Sequence, residues 1–239
     1  RQRELCIRDR KKAAVWRYWK GAARGTGRDE GATLVMQLGD KQGWLWYIPL
    51  NDDVVSVGVV AGYDYLFQNR ESKKPEDVYA TELERCLGLH GRLNNATKIE
   101  SVRVAKEYSY RSRDVAGDGW VLVGDAFGFL DPLYSSGILL ALKSGELAGD
   151  AVVAALQEND LSAGRLGCWG EDCVRGMDRM RRLVYEFYDG FNFGKFVKRF
   201  PHLRGHVTDL LIGDLFNDRL DEIIEPLEIL RAEQEAASS

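Results

Sequence analysis

Residues 119–149, GWVLVGDAFGFLDPLYSSGILLALKSGELAG, constrain the fold more than any other stretch. Four apolar residues, Trp120, Val121, Leu122 and Val123, precede a glycine, which predicts a strand covered on both faces. Gly124 permits a sharp turn and lets another group approach its backbone. Asp125 then leaves the strand end as a hydrogen-bond acceptor suited to a ligand hydroxyl. After a loop ending in Pro132, Ser135, Ser136 and Gly137 open a long helix. Its first N–H groups lack partners within the helix and favour an anion or a partial negative charge. Ala141, Gly145, Ala148, Gly149 and Val152 form a stripe of small residues down that helix. A glycine inside a helix costs about 1 kcal/mol relative to alanine, so the stripe predicts close packing on a sheet or a ligand. An ordinary buried strand–loop–helix unit has the same features, and both readings stand.

The chain before this stretch reads as sheet. Residues 13–20 have the aromatic and β-branched content of a strand, with Val15, Arg17 and Trp19 on one side and Trp16 and Tyr18 on the other. A polar loop over 21–31 leads to three short strands over 32–38, 43–50 and 54–60. Gly39-Asp-Lys-Gln and Asn51-Asp-Asp separate them as hairpin loops, so the strands form an antiparallel meander. Pro75 opens a helix of about three turns carrying Val78, Leu83 and Leu87 and ending near Gly88. Residues 99–110 alternate as a further strand. Within 43–49, alternation sets Trp44, Trp46 and Ile48 on one face and Leu45, Tyr47 and Pro49 on the other. Two neighbouring indoles make a rigid apolar wall, which on its own is more often core than site.

Beyond Asn159 the pattern is helical. Trp169, Cys173, Met177, Met180, Val184 and Phe187 recur at helical spacing as one buried face. Tyr185, Phe187, Tyr188, Phe191, Phe193, Phe196 and Phe200 are more aromatic than a core helix requires and suit a substrate pocket as well as a core. Pro201 ends that helix. Residues 210–230 form an amphipathic pair before a solvated Glu- and Ala-rich tail.

Composition excludes several classes. A net charge of −4 over 239 residues gives no reason to expect nucleic acid as a partner. No apolar run is long enough to span a bilayer and no signal peptide opens the chain, so the expected location is the cytoplasm. Cys6, Cys86, Cys168 and Cys173 lack metal spacing and are expected as reduced, buried thiols. His202 and His206, one helical turn apart, have no third ligand, so no metal site is expected.

The 119–149 stretch resembles the flavin-binding segment of FAD-dependent oxygenases on the p-hydroxybenzoate hydroxylase plan. It is similar above all to that of flavin-dependent halogenases and the related geranylgeranyl reductases. Gly43-Trp-Leu-Trp-Tyr-Ile-Pro49 resembles the W-x-W-x-I-P signature of the halogenases, and Ser56-Val-Gly-Val-Val60 also looks like theirs. The resemblance implies FAD as cofactor, bound by Gly124, Asp125, Asp131, Pro132, Ser135, Ser136 and Gly137, with the Asp125 carboxylate on a ribityl hydroxyl. For Asp131, an ordinary helix-entry role is weighed equally. It implies halide as co-substrate at the N–H groups of Ser136 and Gly137. Trp44, Trp46, Ile48 and Pro49 become the catalytic wall that keeps the organic substrate off the flavin. The turn at Asp125 and the helix start are then two sides of one cradle for the isoalloxazine and ribityl groups.

By the same resemblance, the reaction uses O₂ and reduced FAD from a partner flavin reductase to oxidise halide to hypohalous acid. The acid moves through a tunnel to a lysine beside a small aromatic substrate. That lysine matches no residue of this chain. Tyr134 stands where members acting on free tryptophan carry an acid, which favours a phenol or pyrrole substrate, often bound to a carrier protein. A reductase of prenyl double bonds and an inactive flavoprotein fragment are the alternatives.

The expected architecture is α+β, in three parts. An antiparallel substrate-domain sheet with one helix occupies 1–115, the flavin-binding strand–loop–helix 116–160, and a helical region 161–239. The G-x-G-x-x-G turn with which such flavoproteins open is absent, and Gly21-Ala-Ala-Arg-Gly-Thr-Gly27 reads as a loop. These residues are therefore expected to be the C-terminal part of a longer chain, and to bind FAD weakly or not at all by themselves.

Overall fold

The computed structural model describes residues 12–39, 42–68, 70–106, 109–188, 190 and 193–238. They fall into two compact units, one within Asp9–Tyr108 and one within Ser109–Ser239.

The first unit is a six-stranded antiparallel sheet backed by helices. Its strands are β1 (Lys12–Lys20), β2 (Leu34–Gln37), β3 (Gly43–Pro49), β4 (Val54–Gly62), β5 (Thr97–Lys98) and β6 (Arg103–Lys106), in the order β2-β3-β4-β1, with β5 and β6 both pairing the free edge of β1. The meander follows from tight connections. Asp52 and Asp53 both take left-handed conformations (φ 56° and 59°) and Val54 N–H donates to Asn51 O, so β3 and β4 meet through a two-residue turn matching the strand twist. Asp40 and Lys41 of the other expected hairpin loop lie outside the described residues, as do residues 1–11, Cys6 included, and Phe191.

Alternation sends Ala13, Val15 and Trp19 of β1, Leu45 and Tyr47 of β3, and Val55, Val57 and Val59 of β4 into one core. The short helix α1 (Tyr63–Phe67) and α2 (Pro75–Arg85) contribute Leu66, Phe67, Val78 and Tyr79 to it. Two buried polar relays fix this packing. Trp19 Nε1–H donates to Tyr79 Oη at 2.9 Å, and the Tyr79 hydroxyl donates to Val57 O at 3.0 Å. The fully buried Glu82 carboxylate accepts from Arg70 and from the Tyr65 hydroxyl. Leu87 departs from expectation: α2 ends at Arg85, and Leu87 sits in a 3-10 turn, largely exposed. The strand expected over 99–110 is broken: among its described residues only Arg103–Lys106 runs alongside β1, and Ile99 is exposed.

The second unit is mainly helical. Short strands β7 (Tyr110–Arg111) and β10 (Gly128–Phe129) pair with each other, as do β8 (Ala116–Gly117) and β9 (Trp120–Val121). Then come α3 (Gly137–Glu158), α4 (Ala163–Leu166), α5 (Gly170–Tyr188), α6 (Phe193–Arg199), α7 (Arg204–Ile212) and α8 (Ile224–Ser238). Cys173, Met177, Met180, Leu183 and Val184 line the buried face of α5, with Trp169 just before it and Phe187 half-buried. Arg179, almost buried, clasps the following segment: Nε and Nη2 hold both Asp221 carboxylate oxygens at 2.8 and 2.7 Å, Nη2 reaches Asp218 at 2.9 Å, and Nη1 donates to Leu215 O.

Several expectations are corrected here. The strand before Gly124 is not covered on both faces: it is two residues long, pairs only with β8 among the described residues, and leaves Trp120 47% and Val123 38% exposed. Phe196 is fully buried in the core, with Phe193 and Phe200 packed against it, so these rings are packing rather than pocket lining. Cys86 and Cys173 are buried thiols, the latter pushed up to about 11 by burial, but Cys168 is exposed. His206 lies 3.3 Å from Glu222, and no group of residues among those described is arranged to hold a metal ion. Nor is any described helix long and apolar enough to cross a membrane.

Candidate functional site

The candidate residues lie in the two units separately: the Gly124 turn and the α3 start in the helical unit, the tryptophan strand in the sheet.

In the helical unit, Gly124 opens a 3-10 turn (Gly124–Ala126) with φ +52°, in the left-handed region that favours glycine. A Cβ there would also stand 3.2 Å from Cβ of Ala141. The turn thus presses on α3 one helical turn inside its start. Gly124 N–H donates to Ser144 Oγ at 2.8 Å, and the Ser144 hydroxyl donates to Ala141 O at 3.0 Å. Ser144 was not singled out from the sequence; its signal is a lone hydroxyl, 2% exposed, on the small-residue face of α3. Of the expected stripe, Ala141 and Ala148 are packed as predicted, whereas Gly145 and Gly149 face open space.

The Asp125 side chain is exposed, and no hydrogen bond engages its carboxylate among the described residues; its backbone carbonyl accepts from the Tyr110 hydroxyl at 2.8 Å. Asp131 is 7% exposed and occupied by protein: Oδ1 accepts from Leu133 N–H at 3.0 Å and Oδ2 from the Tyr188 hydroxyl at 2.8 Å. The geometry includes the helix-entry role, since Asp131 caps the turn Pro132–Tyr134. Tyr188, also missed as a partner, anchors that carboxylate from α5.

Ser135 takes a left-handed conformation (φ 53°) and is exposed, while Ser136 is buried and precedes α3. The first helical hydrogen bond runs from Leu140 N–H to Ser136 O, so the N–H groups of Gly137, Ile138 and Leu139 lie outside the ladder. Three residues before α3, Tyr134 packs against the core of this unit, and its hydroxyl is buried without a hydrogen-bond partner among the described residues. Burial, then the Asp131 charge, push its pKa up, so it stays a neutral donor. The free amides at a positive helix end and the open carboxylate on a glycine turn held against the same helix fit a ligand with anionic and hydroxyl groups, as FAD has.

In the sheet, Trp44, Trp46 and Ile48 occupy the face opposite the core, as alternation requires, while Leu45 and Tyr47 enter the core. The indoles of Trp44 and Trp46 are 6.0 Å apart at 52°. Trp44 is 2% exposed, Trp46 is half-buried, and its Nε1–H donates to Ser56 Oγ at 3.1 Å. An open cleft of about 820 Å³ lies at the Pro49 end of the strand, lined by Tyr18, Arg24, Pro49, Leu50, Ile99 and Arg103. Within it the Arg103 guanidinium lies 5.3 Å from the Tyr18 ring centre, and Arg24 is tied to the carbonyls of Leu50 and Val54.

Residues 26–191 match the family model described as tryptophan halogenase. The chain is 38% identical over 178 residues to a tryptophan 2-halogenase of Chondromyces crocatus, covering 74% of this chain and 34% of that protein. It is 28% identical over 191 residues to a 1H-pyrrole-2-carbonyl-[peptidyl-carrier protein] chlorinase of Pseudomonas fluorescens, covering 79% and 42%. Among solved structures, the flavin-dependent brominase Bmp2 superposes with a TM-score of 0.81 at 28% identity, over 96% of this chain and 56% of that one. The chain spans about a third of the length of the first curated relatives it matches.

Proposed function

Because the chain belongs to the tryptophan halogenase family, we propose that this protein acts as a flavin-dependent halogenase on an electron-rich aromatic substrate of phenol or pyrrole type. When bound, FAD supplies the oxidising equivalent that converts halide into an electrophile, using O₂ and electrons from a partner reductase. This chain's residues supply placement. Asp125 accepts a hydrogen bond from a ribityl hydroxyl at the turn that Gly124 and Ser144 hold against α3. The N–H groups at the α3 start, with Ser136 and Gly137, hold the halide and the negative charge of the reduced ring, where the helix dipole favours anions. The paired tryptophans, with Ile48 and Pro49, exclude water and keep the organic substrate from the flavin. A ring-bearing substrate, free or on a carrier protein, finds aromatic and cationic groups in the cleft beside Pro49.

The observation that carries the reading is the glycine turn bonded to Ser144 beside a helix start with free amides. Its test is an assay of the protein expressed in full with reduced flavin, O₂ and bromide, using monochlorodimedone as an electron-rich probe. Bromination dependent on all three supports the reading. Consumption of reduced flavin with no brominated product, combined with reduction of a prenyl lipid, replaces it by the reductase reading.

A further inference from the structure

The tryptophans of β3 belong to a larger row. Antiparallel register places Trp46 of β3 and Trp16 of β1 on opposite sides of Gly58 of β4. The Trp16 and Trp46 ring centres are 6.2 Å apart at 46°, and Trp44, two residues along β3, has its ring centre 6.0 Å from that of Trp46. A Cβ on Gly58 would stand 2.1 Å from Cζ2 of Trp46, so the six-membered ring rests on strand backbone. Ser56, two residues along the same face and 8% exposed, accepts the indole N–H of Trp46. An indole has two side-chain torsions. A platform under one end and a hydrogen bond at the other fix both.

Core packing alone explains less than this. A central strand position favours a β-branched residue, and glycine there weakens the strand unless a close approach requires it. Here the close approach is a ring laid flat. Trp44 is sealed, so the indoles of the row that keep accessible surface are Trp16 and Trp46, and Trp16 lies outside the W-x-W-x-I-P motif. Beyond Trp16 on β1 comes Tyr18, which lines the open cleft.

We propose that Ser56 and Gly58 are positioning residues for Trp46, and that Trp16 with Trp46 forms the aromatic surface that orients the substrate ring. What that surface orients rests on the halogenase reading above; the arrangement of the rings does not.

Ser56→Ala, Ser56→Thr and Trp16→Phe test this. Indoles about 6 Å apart couple their transition dipoles and give a paired positive and negative band in far-ultraviolet circular dichroism. The wild-type band pair is expected to fall about twofold or more in Trp16→Phe and in Ser56→Ala, and to return in Ser56→Thr, which keeps the hydroxyl acceptor. Thermal melting checks that Ser56→Ala is folded, and a cooperative transition is expected. In the FAD-loaded protein, halogenated product per reduced flavin consumed is expected to drop several-fold in Ser56→Ala, with flavin consumption unchanged, and to recover in Ser56→Thr. A Ser56→Ala protein with the wild-type band pair and the wild-type product yield overturns the proposal. If the wild type halogenates nothing, the halogenase reading fails, and the band pair alone decides whether Ser56 and Trp16 set the ring geometry.

Discussion

The sheet unit and the helical unit solve the same problem, holding functional side chains still, by different means. In the sheet, position comes from backbone register. Trp16, Gly58 and Trp46 stand side by side because β1, β4 and β3 pair residue by residue, and the opposite face of the same strands is a dry core pinned by Trp19, Tyr79 and Glu82. In the helical unit the candidate groups sit on short turns, where position comes from individual side-chain bonds: Ser144 to Gly124, Asp131 to Leu133 and Tyr188. Its core is secured away from those turns by the Arg179 clasp. A wall built on ladder register is sensitive to volume, whereas a cradle built on turns is sensitive to single hydrogen bonds.

The largest effect separating the two modes is expected at Gly58. Gly58→Val drives side-chain atoms into the Trp46 ring and should destabilise the sheet by about 3 kcal/mol through overpacking, seen as a lower urea midpoint in tryptophan fluorescence. An unchanged midpoint would mean that the row is loosely packed.

Next comes the clasp. Arg179→Met removes charged hydrogen bonds to Asp221 and Asp218 and should cost about 2 kcal/mol, less than a fully buried pair because both carboxylates reach solvent. The sign with pH follows from the carboxylates. Hydrogen bonds from Arg179 hold both acids below their ordinary value, so their contribution is present above the unfolded carboxylate range of about 4 and is lost as pH falls below it. Wild type and variant should therefore converge in stability on acidification, as denaturant titrations at several pH values would show. A gap that persists at low pH would assign the effect to packing.

Tyr79→Phe leaves the Trp19 N–H buried without its acceptor and should cost about 1–2 kcal/mol in the sheet unit. A smaller effect is expected from Ser144→Ala, about 1 kcal/mol by thermal melting. That substitution should nonetheless weaken flavin binding in the complete protein more than Tyr79→Phe does. Equal flavin affinity in the two variants would erase the distinction between wall and cradle.

Legibility in the sequence followed the same division. Period-two alternation is local, and it assigned the faces of Trp44, Leu45, Trp46 and Tyr47 because each strand buries one side in a core. The turn residues Asp52 and Asp53 announced their hairpin in the same way. The apolar run 120–123 misled because apolar character reports what a residue prefers, not what covers it: Trp120 and Val123 pack on little within the described residues. The aromatic run around Phe196 looked too rich for a core, yet several helices converge there and need that volume. Ser144, Ser56 and Tyr188 act through hydrogen bonds to residues 10 to 57 positions away, and no periodicity carries such pairings.

The central claim is that the Gly124–Asp125 turn and the start of α3 hold FAD. Flavin affinity of the complete protein, measured by fluorescence quenching for wild type and Asp125→Ala, tests it most directly. Loss of a charged hydrogen bond to a ribityl hydroxyl should weaken binding by about tenfold or more, while thermal melting of the flavin-free protein stays unchanged because the exposed carboxylate supports nothing in the fold. Equal affinity of the two proteins for FAD would contradict the claim.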